Sequence, residues 1–159
     1  MTTRPFQRTF AIAAAVIAGI ALTLGFIVVG SPFTVRLRKL DDRRVEDLRA
    51  IHAAIQRMVI ERPTDKPKLK RPLPSTLDEV AAHVRSEQYQ SELSLHDPQT
   101  GAVYVYRVTG ETQYELEATF TLSRSRKQDM FWNHPAGTHV YQFDAMDAAT
   151  QQLADHRGP

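Results

Sequence analysis

The chain has 159 residues, with 20 Lys or Arg against 18 Asp or Glu for a net charge of +2, and it contains no cysteine. That length supports one modest hydrophobic core, and the missing thiols exclude disulfides, thiolate zinc sites and cysteine nucleophiles. Five of the basic residues (Arg4, Arg8, Arg36, Arg38, Lys39) precede the first acid, Asp41, so the remainder is slightly acidic and lacks the basic footprint of a nucleic-acid-binding domain.

In chain order, a short tail over residues 1–9 leads into Phe10 to Val29, twenty uncharged and mostly apolar residues. As a helix, that run is about 30 Å long, the thickness of a bilayer's hydrocarbon core, and it predicts a transmembrane anchor over 10–30. A cleaved signal peptide is the alternative, opposed by the length of the run and by the absence of a clean small-x-small pattern at Val28-Val29-Gly30-Ser31-Pro32. Arg4 and Arg8 on the short tail place the N-terminus on the cytoplasmic side, although Arg36, Arg38, Lys39, Arg43 and Arg44 outnumber them on the other flank. Residues 31–40 read as a basic juxtamembrane hinge, with Pro32 interrupting the helix.

From Asp41 the pattern turns amphipathic. Val45, Leu48, Ile51, Ile55 and Met58 recur every three or four residues and predict a helix over 41–60. Arg62 to Pro74 holds Pro63, Pro67, Pro72 and Pro74 among Lys66, Lys68, Lys70 and Arg71, an extended basic loop. Ser75 or Thr76 caps a short helix that buries Leu77, Val80, Ala81 and Val84. Asp97-Pro98-Gln99-Thr100-Gly101 predicts a tight turn, in which the aspartate bonds its own backbone and glycine permits a positive φ. Strands follow at 103–108, 114–122 and 138–143, with a turn at Gly110 and a loop carrying Trp132 and Gly137. A polar tail occupies 144–159.

An apolar helix, an amphipathic stem, a proline-bearing loop, Leu73-Pro74-Ser75-Thr76-Leu77, a DPxTG turn and a Tyr104-x-Tyr106 strand occur here in that order. The chain thereby resembles the pseudopilins of bacterial type II secretion, above all the major pseudopilin, over most of residues 10–122. The resemblance implies an α+β fold: an N-terminal transmembrane helix, with an amphipathic helical stem and short helix packed on a small antiparallel sheet, the pseudopilin-like domain spanning 41–143. It further implies a single-pass protein of the bacterial inner membrane with a periplasmic C-terminal domain. The prepilin leader motif is missing: Thr9 precedes Phe10, and Ala14 stands in the place of the usual glutamate. The family's calcium site has no clear counterpart, only Asp144 and Asp147 lying nearby.

His134 and His139 are spaced to share a metal ion, with Asp129 or Asp144 as a third ligand. The competing reading puts both histidines at the solvated edge of the sheet, with Trp132, Pro135 and Tyr141 covering it. His96 and Asp97 beside Ser94 or Ser91 imitate a catalytic set, but adjacent strand residues face opposite ways. Glu115 and Glu117 share one strand face, opposite Leu116 and Ala118, and read as its solvated side rather than as an acid–base pair. No residue is assigned to catalysis, to a cofactor or to a metal. The basic loop 66–71 and the cluster 36–44 fit anionic lipid or an acidic partner. The reading is a non-enzymatic, single-pass membrane protein that presents its domain to a protein partner in a secretion or envelope assembly, with the bilayer but no nucleic acid as a further partner. The alternatives are a tethered sensor with a ligand pocket between sheet and short helix, and a metal-dependent hydrolase using His134 and His139.

Overall fold

The computed structural model describes residues 4–29, 31–61, 68–86 and 93–146; within the first helix it describes the side chains of 9–21 and 25. Two compact units divide the chain, residues 1–37 and 38–159. Pro63, Lys66, Pro67, Ser91, Asp147 and the tail from 147 lie outside the described residues.

Helix α1 runs Arg4–Val29. Among the described residues no helix is long and apolar enough to cross a membrane. This overturns the expected transmembrane anchor over 10–30, and with it the signal anchor and the single-pass inner-membrane, periplasmic placement.

Helix α2 spans Pro32–Val59, so the expected hinge over 31–40 is helical from Pro32 onward. Proline's fixed φ and missing amide suit the first helical position, and Ser31 precedes it as cap, its carbonyl accepting from Val35 N at 3.2 Å. Pro32 thus starts a helix. The predicted stripe is buried in full: Val45, Leu48, Ile51, Ile55 and Met58 all lie in the core, each contributing about 1.5–3 kcal/mol of apolar burial.

Strands β1 (Ile60–Glu61) and β2 (Lys68–Leu69) form a small antiparallel pair, so part of the expected extended loop over 62–74 is paired back on the end of α2. Within that loop Arg71 Nε donates to the Met58 carbonyl at 2.9 Å. Helix α3 covers Leu77–Ser86. Its start is a capping box in which the Thr76 hydroxyl accepts from Glu79 N at 3.4 Å while the Glu79 carboxylate accepts from Ser75 N at 2.9 Å.

Strands β3 (Val105–Val108), β4 (Gln113–Phe120) and β5 (Gly137–Asp144) form an antiparallel sheet in the order β3-β4-β5. Val105 pairs with Glu117 at one end of the β3–β4 ladder, and Phe120 pairs with Gly137 at one end of the β4–β5 ladder. The period of two decides the faces. Tyr104, Tyr114, Leu116, Ala118, Phe120, Tyr141 and Phe143 join the apolar faces of α2 and α3 in one core, while Glu115 and Glu117 take the other face. There Glu115 accepts from Gln142 at 3.1 Å and Glu117 from Arg107 at 2.9 Å. A 3₁₀ turn, Met130–Trp132, lies in the loop between β4 and β5 and drives Trp132 into the core.

Candidate functional site

The DPxTG turn forms as its residues require. Asp97 Oδ1 accepts from Gln99 N and Thr100 N, both at 2.8 Å, and Gly101 adopts φ +72. Its second partner lies 53 residues away, because Arg44 on α2 donates Nε to Asp97 Oδ2 at 2.5 Å and Nη2 to Oδ1 at 3.1 Å. Arg44 Nη1 donates to Asp41 Oδ1 at 2.5 Å and to Thr121 Oγ1 at 3.4 Å, and Nη2 also donates to Gln99 Oε1 at 2.9 Å. All five guanidinium donors are thereby used, at a side chain that is only 2% exposed. Asp41 in turn accepts from Thr121 N at 2.9 Å and Leu122 N at 2.8 Å. Helix, turn and strand end are locked together.

Electrostatics follow from this geometry. Burial pushes Asp97 upward, but the bonds from Arg44 and from the Thr100 and Gln99 amides prevail and hold its carboxyl at about 2. Burial works against the Arg44 charge as well, and its bonds to Asp97 and Asp41 outweigh that and raise its pKa. Nearby, Tyr104 donates to Asp47 at 3.0 Å. Burial pushes the Asp47 carboxyl up, against the opposing pull of Tyr104 and Arg43.

Beside this lock, an open cleft of about 510 Å³ is lined by residues that include Arg44, Gln99, Val103, Val105, Thr119 and Phe120.

A second charged group braces the β4–β5 loop. Arg124 Nη1 donates to Asp42 at 3.1 Å and Arg126 Nη2 donates to the same carboxylate at 3.0 Å. Asp129 accepts from both Arg49 and Arg124. The Arg49 guanidinium lies over the Trp132 ring, 5.1 Å from its centroid. Burial, then the neighbouring Arg126, pulls the Arg124 pKa down against Asp129 and Asp42. Three arginines, Arg49 from α2 and Arg124 and Arg126 from the loop, thus share two carboxylates, and Lys127 adds a further basic residue to the loop sequence. Met130, 73% exposed, projects from its 3₁₀ turn, while the half-buried Phe131 ring packs on Trp132, Phe143 and Tyr141 with centroids 5.3, 5.4 and 5.9 Å away.

His134 is not at a solvated edge, contrary to expectation. It is 4% exposed and stacks on Phe120 with ring centroids 3.5 Å apart. Its Nδ1 lies 3.0 Å from the Pro135 carbonyl, which assigns the proton to Nδ1 and leaves Nε2 without a partner. Burial lowers the pKa of both His134 and His139. His139 meets Tyr141 edge-on at 4.6 Å. Among the described residues no three His, Cys, Asp or Glu side chains are grouped to hold a metal ion, so neither Asp129 nor Asp144 completes the expected set; Asp129 is spent on arginines and Asp144 accepts from Met146 N at 2.9 Å. His96 is exposed while Asp97 is buried, and the Ser94 hydroxyl is directed to the His96 carbonyl at 3.4 Å. The two do not form an oriented pair.

Sequence reasoning missed Arg44, which it grouped with surface cations, and missed Arg49, Arg124 and Arg126 altogether. Local periodicity carries no record of such long-range partners. An arginine on the same helix face as Leu48 and Ile51 was the available signal, since that face is buried.

No protein family, curated protein or solved structure matches this chain.

Proposed function

We propose that this chain is a non-enzymatic protein-interaction domain of pseudopilin-like architecture, working in a secretion assembly, and that its partner docks on the loop between β4 and β5. The observation that carries this reading is the exposure of Met130 on a turn that Phe131 seats on the core and whose neighbours Arg124, Arg126, Asp42 and Asp129 are cross-bonded. Exposed apolar anchors rimmed by arginine are the composition of interface hot spots, and a pre-braced loop loses little entropy on docking. The excess positive charge of the rim selects a partner with an apolar pocket edged by carboxylates. The order of long helix, short helix, Asp-Pro turn and antiparallel strands supports the pseudopilin likeness.

The test places photoreactive benzoylphenylalanine at position 130 of the full chain in its own host, with position 85 on α3 as the comparison. A discrete crosslinked partner from position 130, depleted by Arg126→Glu with Lys127→Glu, is the expected result. No adduct, or the same adducts from both positions, overturns the reading.

A further inference from the structure

Strand β5 is one outer edge of the sheet, since the strand order is β3-β4-β5. The Thr112 carbonyl accepts from Ala145 N at 2.8 Å, one step beyond the Gln113–Asp144 pair, so the alternation of the ladder turns the peptide groups of residues 137, 139, 141 and 143 toward β4. Those of Thr138, Val140 and Gln142 therefore point outward. Among the described residues nothing bonds to these outward N–H and C=O groups.

An open strand edge is a template for another chain, and proteins ordinarily blunt it with lysine, proline, a bulge or a short strand. Strand β5 has none of these. It runs eight residues in an unbroken register with β4, and Gly137-Thr138-His139-Val140-Tyr141-Gln142-Phe143 holds no Lys, Arg, Asp, Glu or Pro. The opposite edge is better guarded, because β3 has four residues, carries Arg107 and follows Tyr104, whose N–H is already given to the Leu95 carbonyl. The apolar layer under the β5 edge is also incompletely covered: Phe131 packs on Tyr141 and Phe143 and is still 37% exposed.

We propose that a second copy of this chain covers the edge, the two β5 strands pairing antiparallel about a two-fold axis at Val140. The occupant follows from the fit of the strand to itself. In that register Thr138 faces Gln142 of the second copy and Val140 faces Val140, so that the hydrogen-bonded pairs use every outward group of these residues on both copies. No like charges meet, because the paired segment is uncharged. Phe143 falls opposite Gly137, where nothing lies within 4 Å of the place a Cβ would take. On the solvent face Gln142 Nε2 donates to Glu115 at 3.1 Å, which leaves Gln142 Oε1 to accept from the Thr138 hydroxyl of the second copy, itself 3.1 Å from Thr119 Oγ1. The two sheets become one, and the symmetric contact closes at two copies. This inference does not rest on the partner docked at Met130.

Because the chain has no cysteine, introduced cysteines read the register. Facing residues of a hydrogen-bonded pair have Cα atoms about 5.5 Å apart, within the ~4.4–6.8 Å reach of a disulfide. The full chain with Val140→Cys, oxidised by copper phenanthroline, is expected to link to itself, as is Thr138→Cys mixed with Gln142→Cys. Each of the latter two alone should give at least tenfold less linked dimer, since its two thiols stand about 13 Å apart at ~3.4 Å per residue. Val140 shares the solvent face with Thr138 and Gln142, so changes there leave the core intact. Adding Val140→Lys to both members of the mixture should lower the yield at least tenfold, and Val140→Lys in one with Val140→Glu in the other should restore it. No dimer from Val140→Cys or from the mixture overturns the proposal. Equal yields from the mixture and from either variant alone, the mark of association through another surface, also overturn it, as does a yield indifferent to Val140→Lys.

Discussion

Replacing Arg44 by methionine keeps the apolar stem of the side chain and removes the cation bonded to both Asp41 and Asp97. Asp97 would retain the Gln99 and Thr100 amides and Asp41 those of Thr121 and Leu122, so the loss is that of the guanidinium alone. Breaking a buried ion pair from one side costs about 3–5 kcal/mol. The carboxyl supplies an independent figure: lowering Asp97 from 3.8 to about 2 corresponds to about 2 kcal/mol at ~1.4 kcal/mol per pH unit. A destabilisation of about 3 kcal/mol is expected at pH 7, a large share of the ~5–15 kcal/mol that holds a domain of this size. Urea denaturation reads it, and pH supplies the signature. Because the folded-state pKa of Asp97 is depressed, its contribution is present above pH 3.8 and is lost as pH falls through about 2. In Arg44→Met that acid limb should shrink, the Gln99 and Thr100 amides alone still favouring the Asp97 carboxylate. A loss below about 1 kcal/mol, with an unchanged acid profile, would refute the claim that this pair locks helix, turn and strand together.

Gln56 offers the opposite sign. It is 3% exposed and neither amide atom has a partner, so Gln56→Met, close in shape, should stabilise the domain by about 1–3 kcal/mol in the same assay. His134 should make the fold acid-sensitive at milder pH: its pKa is lowered by burial, the unfolded chain takes the proton first, and stability falls as pH drops below about 6.5. His134→Phe should flatten that limb of the stability-versus-pH curve, and an unaltered curve would count against the buried neutral imidazole. Trp132→Ala should cost about 3–5 kcal/mol by leaving a cavity in the core, measurable as a lowered melting temperature.

The apolar period over Val45 to Met58 announced helix α2 and its buried face, because a 3.6-residue repeat is a local property. The DPQTG turn was legible for the same reason: Asp97 and Gly101 act within five residues. Harder to read was the start of α2. Pro32 marks a break when seen from α1 and a beginning when seen from Ser31, and only the capping carbonyl distinguishes the two. Asp41 and Asp42 open the predicted helix over 41–60, yet they lie well inside α2 and serve amides and arginines some 80 residues away. Such partners leave no trace in spacing. His134 was misplaced at a solvated edge because its burial depends on Phe120, brought over it by the β4–β5 register.

The most direct test of the account is calorimetric titration of the full chain with the partner recovered through position 130, at rising salt. Binding by the parent chain that weakens as salt increases, and that falls at least tenfold in Arg126→Glu, is expected of an apolar anchor inside a basic rim. Equal affinity of parent and variant at every salt concentration would contradict it.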